Sequence, residues 1–328
     1  MLSLNSDLYP SRTPAAQVYA QIEKDLQDAE AALPVTTTDA GRATQGSAQA
    51  LLAKVYAQEG NYQSSLTEAN KVLPSKFGGT GSGGYDLLSN FEYLWDIAHK
   101  NSVESIFEIQ HNSSNGFGNW GIELYLPYSL TGDTWVKFNE ATTDMINTFR
   151  NEGDSIRLHS SVYFENTVAT ASTPPPYTSS TQPVPFTNKW RITNGSDWNG
   201  DCNTILIRLA DIILLKAEAL NQTGQTAQAI PLVNAIRQRV NLPAITVTSQ
   251  TDVAAAILKE RRLELAFEGQ RWNDLLRYGV QYTISLINSK KNPQGTSEGI
   301  TLTQPKMLFP VPQVERDIDK NLTQNPGY

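Results

Sequence analysis

Residues 53–72 read AKVYAQEGNYQSSLTEANKV, and residues 217–236 read AEALNQTGQTAQAIPLVNAI. Laid over each other, Ala53 falls on Ala217, Tyr56 on Leu220, Gly60 on Gly224, Leu66 on Ile230 and Val72 on Ile236. Each copy carries apolar residues at steps of three and four on both sides of a glycine, the pattern of two helices meeting at a tight turn. Two such copies are the signature of tetratricopeptide-like helix pairs, in which small residues let the paired helices approach closely. Pro231 interrupts the second copy near the start of its helix, where loss of a backbone N–H costs least.

The same periodicity spreads outward from both copies. Val18, Ile22, Leu26, Ala29 and Leu33 form one stripe, and Ala48, Leu51, Leu52, Val55 and Tyr56 form another. The middle of the chain is different. PSKFGGTGSGGYD (74–86) is a glycine-rich loop, and ENTVATASTPPPYTSSTQPVPF (165–186) reads as an extended surface excursion. SIFEIQHN (105–112) alternates as a strand does. The expected fold is therefore all-α dominated: tetratricopeptide-like helix pairs with a large irregular insertion containing short β-strands. Helical scaffold is expected over 11–73 and 205–328, with the insertion at 74–204, all in one compact fold.

Composition excludes several classes. With 328 residues, 39% hydrophobic and 18% charged, the chain buries a substantial core. A net charge of −7 and an isoelectric point of about 5.1 argue against a nucleic-acid partner, which would require a basic face. Cys202 is the sole cysteine, so neither an internal disulfide nor a cysteine zinc cage is available. The most apolar run, ILIRLADIILLKAEAL (205–220), is broken by Arg208, Asp211 and Lys216 and does not read as a membrane span. The first residues, MLSLNSDLYPSR, lack the basic start and apolar run of a signal peptide; the protein is either cytoplasmic or begins after its targeting segment.

The stretch KERRLELAFEGQRWNDLLRYG (259–279) sets Glu260, Glu264 and Glu268 four apart among arginines. Read as one helix, Ala254, Ile257, Arg261, Leu265, Glu268, Trp272 and Leu275 share a face. Charges on an apolar stripe must be paired, and Arg261 and Arg271 lie three residues from Glu264 and Glu268. Arg261, Glu264, Glu268 and Arg271 therefore read as an ion-pair lock between helices, with Arg208 or Arg237 available from the neighbouring pair. A carboxylate ringed by arginines has its pKa pushed down, which suits neither a proton donor nor a poised base. No other catalytic pattern appears. The glycine-rich loop lacks the Gly-Lys-Ser/Thr ending of a phosphate loop, and there is no G-x-S-x-G. His99, His111 and His159 have no ligand spacing. NGSDWNGDCN (194–203) starts like a calcium loop, but its twelfth position is Arg208 where a bidentate glutamate is needed, so it reads as a turn. No catalytic residue, metal or cofactor is expected.

Aromatic residues gather in the polar insertion: Phe117, Trp120, Tyr125, Tyr128, Trp135, Tyr177, Trp190 and Trp198. Phe91, Tyr93 and Trp95 read as packing. Trp120 in SNGFGNWGIE and Trp198 in GSDWNGD sit among Gly, Asn, Ser and Asp, so each is either a lid on the core or a flat platform. Flat aromatics beside amides and carboxylates suit sugars, whose C–H faces stack while their hydroxyls take hydrogen bonds. Trp120 and Trp198 are the first candidates for ligand binding, with Tyr125, Tyr128 and Trp135 in support.

Three segments then resemble a known family. ILIRLADIILLKAEALNQTGQTAQAIPLVNAIRQRVNLP, AAAILKERRLELAFEGQRWNDLLRYG and LFPVPQVERDIDKNLTQNPGY stand in the order and spacing of the SusD/RagB family, surface glycan-binding lipoproteins of Bacteroidetes. GRATQGSAQALLAKVYAQEGNY is similar to that family's earlier helix pair, and NSVESIFEIQ and DSIRL to its middle. The resemblance covers residues 11 to 328. It implies four tetratricopeptide-like pairs with a glycan-binding insertion, no enzymatic activity, a lipid anchor in the outer membrane at the cell surface, and a SusC-like TonB-dependent transporter as partner. It gives the Glu/Arg stretch a scaffold role and makes Trp190, in NKW, a framework residue. Family members usually carry a lipoprotein signal with its anchoring cysteine and an earlier helical portion; their absence makes this chain resemble a fragment, and part of the family's binding platform comes from that portion. The alternative is a helical-repeat scaffold of a transporter complex that binds peptide or another non-sugar cargo.

Overall fold

A computed structural model describes residues 9–132, 137–166, 183–190, 199–291, 296–297 and 299–328. The first three helices are α1 (Ala15–Ala32), α2 (Gln45–Gln58) and α3 (Tyr62–Val72). Thr44 opens α2 with a reciprocal cap: its hydroxyl accepts from the Ser47 N–H, and the Ser47 hydroxyl accepts from the Thr44 N–H. Gly60, at φ 77°, turns the chain between α2 and α3, a conformation that a Cβ disfavours. Asn61 caps α3 by accepting from the Ser64 N–H.

The insertion follows. It contains β1 (Ser105–Ile109), α4 (Tyr128–Thr131), α5 (Thr143–Glu152), α6 (Ser155–Ser161), β2 (Val162–Glu165), β3 (Val184–Thr187) and β4 (Thr204–Arg208). β1 runs antiparallel to β4, with Ser105 opposite Arg208 and Ile109 opposite Thr204. The two ends of the insertion are thus tied together, and β4 leads directly into the scaffold. A second ribbon pairs β2 with β3, from Val162 opposite Thr187 to Glu165 opposite Val184.

The scaffold resumes with α7 (Leu209–Gln222), α8 (Thr226–Arg239), α9 (Gln250–Glu264), α10 (Arg271–Arg277), α11 (Val280–Asn288) and, near the C-terminus, α12 (Gln313–Ile318). Gly224, at φ 79°, repeats the role of Gly60. α3 and α9 both pack on α7, so the two helix pairs form one layered core. α7 is buried on every side from Leu209 to Asn221, which explains its near-continuous apolar run. The charges that interrupt the run are all partnered. Asp211 meets Lys54 and Arg261, Glu218 meets Arg277, and the Lys216 ammonium donates to the carbonyls of Phe77 and Gly78 at 2.7 and 2.8 Å. A second cluster joins Phe91, Leu94, Trp95 and Trp190 to Ile205 and Val240, binding the insertion to the scaffold. Trp190 meets Trp95 edge-on, with ring centroids 5.5 Å apart.

The helix-dominated fold with short strands in the insertion is the one expected from the sequence, but four details differ. No residue of α1 is buried: Val18 and Ile22 face solvent because, among the described residues, α2 covers only one flank of the helix. Leu51 is also exposed, since α2 turns Ala50, Leu52, Ala53, Tyr56 and Ala57 inward instead. Pro231 lies in the interior of α8, past its first turn, rather than near the helix start. The 259–279 stretch is not one helix. α9 stops at Glu264, and the chain turns through Phe267 and Gly269, at φ 64° and 75°, before α10 begins. A phenyl-bearing residue in that conformation is strained, and Phe267 is held there by packing on the cluster of Met145, Phe149, Leu263 and Ala266.

Candidate functional site

Two arrangements in the molecule have chemical potential: an exposed aromatic loop and a buried ionic centre. The loop spans 112–121. Asn112 and Phe117 exchange backbone hydrogen bonds of 2.9 and 3.0 Å, closing a small turn. The turn is then braced by the residues just ahead of β4. The Ser113 N–H donates to the Asp201 carboxylate at 2.6 Å, the Gly118 N–H donates to Asn199 Oδ1 at 3.0 Å, and the Asn199 amide donates to the Ser113 carbonyl at 2.8 Å. Asn119 and Gly200 exchange backbone bonds, while the Asn119 side chain donates to the Cys202 carbonyl at 3.1 Å and accepts from the Gly121 N–H. Gly118 is required by the approach itself, because a Cβ there would sit 2.0 Å from Asn199 Oδ1. Asn199 and Asp201, two of the alternating polar residues that resemble the start of a calcium loop, are thus braces. Among the described residues, no group of three or more His, Cys, Asp or Glu side chains is placed to hold a metal ion.

On this frame Trp120 is 68% exposed and Phe117 72%. An aromatic held in solvent by a rigid backbone is a ready stacking surface, because little ordering entropy opposes binding. Tyr128, at the start of α4, is exposed as well, and so is Phe138. Tyr125 is half-buried against the second core cluster and makes a wall rather than a free face. Trp135, Trp198, Tyr177 and Asp197 lie outside the described residues. Phe91 and Trp95 are fully buried as expected, whereas Tyr93 is exposed and stacks on the His99 imidazole, centroids 4.0 Å apart. Phe117, one of the aromatics gathered in the insertion, was not among the ligand-binding candidates that sequence singled out, yet it is the more exposed of the two on this loop. Its flanking glycines, Gly116 at φ 72° and Gly118, carried the signal of a backbone shaped to present it.

The ionic centre lies where β4, α6, α8 and α9 converge. Glu264 receives Arg157 at 3.0 Å, Arg208 at 2.5 Å and Arg239. Glu104, at the mouth of β1, receives Arg208 at 3.0 Å and Arg239 at 2.6 Å. Glu268 receives Lys189 at 2.5 Å and Arg208 at 2.7 Å, and Glu260 receives Arg157 and Arg237. Lys189 and Arg208 also lie over the Trp95 ring, at 4.6 and 5.9 Å. Burial opposes the Glu264 charge, but the guanidiniums of Arg239, Arg208 and Arg157 overcome it and hold that carboxyl well below the usual range. Burial pushes the Lys189 ammonium down to about 8, against the pull of Glu268.

The partners within the 259–279 stretch differ from those that a continuous helix would give. Arg261 pairs with Asp211 at 2.7 Å and Asp274 at 2.9 Å, not with Glu264. Arg271 makes no ion pair among the described residues and donates to the Leu258 carbonyl at 3.1 Å. The break at 265–270 removes the helical step that would have joined Glu268 to Arg271, and Glu268 finds Lys189 and Arg208 from the insertion instead. A carboxylate held ionised at the bottom of this centre has no proton to give and no exposed lone pair for substrate.

The comparisons with known proteins agree with this architecture. The family model described as the SusD family matches residues 103–328. SusD-like protein P38 of Formosa agariphila is 39% identical over 133 residues, covering 38% of this chain and 24% of that protein. SusD-like protein P2 of the same organism is 26% identical over 348 residues, covering 97% of this chain and 66% of that protein. The chain thus spans less than two thirds of the length of either of these relatives. A solved structure described as a laminarin-binding SusD-like protein superposes with a TM-score of 0.76 at 29% identity, over 96% of this chain and 70% of that one. With motifs, fold and family match in agreement over most of its length, the chain belongs to the SusD family.

Proposed function

We propose that the protein captures an oligo- or polysaccharide at the cell surface without altering it, and passes it to a SusC-like TonB-dependent transporter. In this reading the full-length protein is held at the outer membrane by a lipid anchor. No described helix is long and apolar enough to cross a membrane. The observation that carries the reading is Trp120, held in solvent on a loop fixed by hydrogen bonds to Asn199, Gly200 and Asp201. Such a loop holds a ring ready for the C–H face of a sugar, with the polar groups of neighbouring residues available to hydroxyls. Trp120 and Phe117 are proposed as stacking residues, with the exposed Tyr128 and the half-buried Tyr125 in support. Capture without chemistry is supported by the ionic centre, where Arg239, Arg208 and Arg157 hold Glu264 ionised.

The test is retention of the purified protein on immobilised glycans, with laminarin as the first probe because a similar structure bears that name. Binding is expected without release of reducing ends, and to be lost in Trp120→Ala. Failure to bind any glycan of a broad panel, or release of reducing ends that disappears in Glu264→Gln, would overturn it.

A further inference from the structure

The break between α9 and α10 opens a cavity of about 350 Å³ that the aromatic loop does not share. That volume falls within the range of small-molecule sites. Trp272 stands at its rim, 41% exposed, and Arg262, Arg271, Asn139 and Glu140 line it.

One arginine of this cavity, Arg271, is paired unlike the buried arginines of the molecule. Arg157, Arg208, Arg237, Arg239, Arg261 and Arg277 each meet at least two carboxylates. Arg262 is engaged by Asp144 and donates to the Thr148 hydroxyl at 3.2 Å. Arg271 meets no carboxylate among the described residues, only the Leu258 carbonyl. Its state reflects that isolation: burial, with Arg262 adding repulsion, brings the guanidinium down to about 10. The Asp274 carboxylate pulls weakly the other way, but no carboxylate reaches Arg271 in an ion pair among the described residues, and it remains a full cation at neutral pH, partly buried. Glu140, on another wall, is half-buried. Burial raises its carboxyl, opposed by its own backbone N–H and by no cation. An acid in that position accepts hydroxyl hydrogens.

A partly desolvated guanidinium fits a planar or tetrahedral anion by paired N–H donation. An indole beside it fits the C–H face of a ring. We propose that this cavity is a second saccharide site, selective for an anionic sugar unit, with the carboxylate or sulfate taken by Arg271 and the ring laid on Trp272. The choice of sugar as ligand class rests on the glycan-binding reading above; the preference for an anion rests on Arg271 alone. It also means that the net charge of −7 does not by itself exclude acidic glycans, because one unpaired guanidinium can act locally.

The test is calorimetric titration of the parent protein with glucuronate, glucose 6-sulfate and glucose, repeated on Arg271→Gln, Arg271→Lys and Trp272→Ala. The parent is expected to prefer at least one anionic sugar over glucose by about tenfold or more, the scale of a charge-assisted hydrogen bond. Whichever of the two wins identifies the anion. Arg271→Gln is expected to erase the preference, Arg271→Lys to keep part of it, and Trp272→Ala to weaken every sugar. Laminarin retention through the aromatic loop is expected to survive all three substitutions, so failure at this cavity and failure of the primary site read out separately. Equal affinity for glucose and both anions, no binding of either anion, or a preference that persists without Arg271 would overturn the proposal. Should Arg271→Gln fail to fold, Trp272→Ala at the exposed rim decides: glucuronate and glucose 6-sulfate affinities unchanged by loss of the indole would overturn it equally.

Discussion

Glu268 sits just past the end of α9, yet its side chain is as buried as the core and receives two cations from the insertion. Removing it strands Lys189, already disfavoured by burial, and one arm of Arg208. Glu268→Ala is expected to destabilise by about 3 kcal/mol, the scale for breaking a buried pair from one side. Glycan binding should be unchanged in the protein that remains folded. Chemical denaturation checks this, and a midpoint matching the parent would show the pairing to be dispensable. Gly118 makes the opposite kind of prediction. A methyl group there collides with Asn199, so Gly118→Ala is expected to loosen the aromatic loop, lowering glycan affinity several-fold while the melting temperature moves by no more than a few degrees. An unchanged affinity would mean that the brace does not orient Trp120.

At the level of elements, the aromatic loop and the second core cluster hold tryptophans in opposite situations. Trp120→Ala removes contact area without leaving a cavity, so affinity should fall by about 1–3 kcal/mol with little change in stability. Trp95→Ala empties a fully buried site beside Trp190 and Lys189 and should cost about 3–5 kcal/mol of stability. Measuring both quantities on both variants separates platform from core; a large stability loss in Trp120→Ala would mark it as a lid. The two tryptophans also show how far sequence reaches. The helix pairs were legible because period and turn glycine are local: Gly60 and Gly224 adopt the same positive φ in matching places. Strand β1 was legible for the same reason. The end of α9 was not, because Phe267 is a poor residue for a left-handed turn and only packing against Met145 and Leu263 puts it there. The exposure of Val18 and Ile22 was also illegible, since periodicity reports which residues share a face and not whether anything lies against it. In the site, sequence singled out Trp120 by its neighbours but could not foresee that Asn199 and Asp201 would be its braces, a pairing across more than 80 residues.

For the molecule as a whole, the ionic centre sets the response to acid. Glu264 and Asp211 stay ionised in the folded state far below the pH at which the unfolded chain takes up protons. The folded form therefore binds fewer protons through that window, and the stability these groups provide is complete above about pH 4.5 and drains away as pH falls further. Asp154 and Glu68, whose carboxyls burial raises, oppose the trend in part. Denaturation midpoints are expected to hold between pH 7 and pH 5 and to fall steeply by pH 3, with a shallower fall in Glu264→Gln; a parent midpoint that is flat down to pH 3 would contradict the account. The centre also has a place in time. Arg157, Arg208 and Arg239 are made before the carboxylate that gathers them, and Glu264 comes from late in the chain. Earlier carboxylates meet part of this charge, Asp154 on Arg157 and Glu104 on Arg208 and Arg239, but Glu264 is the one that all three arginines share. The full set of pairs therefore forms only once α9 is in place, which ties the burial of the insertion's arginines to the docking of that helix.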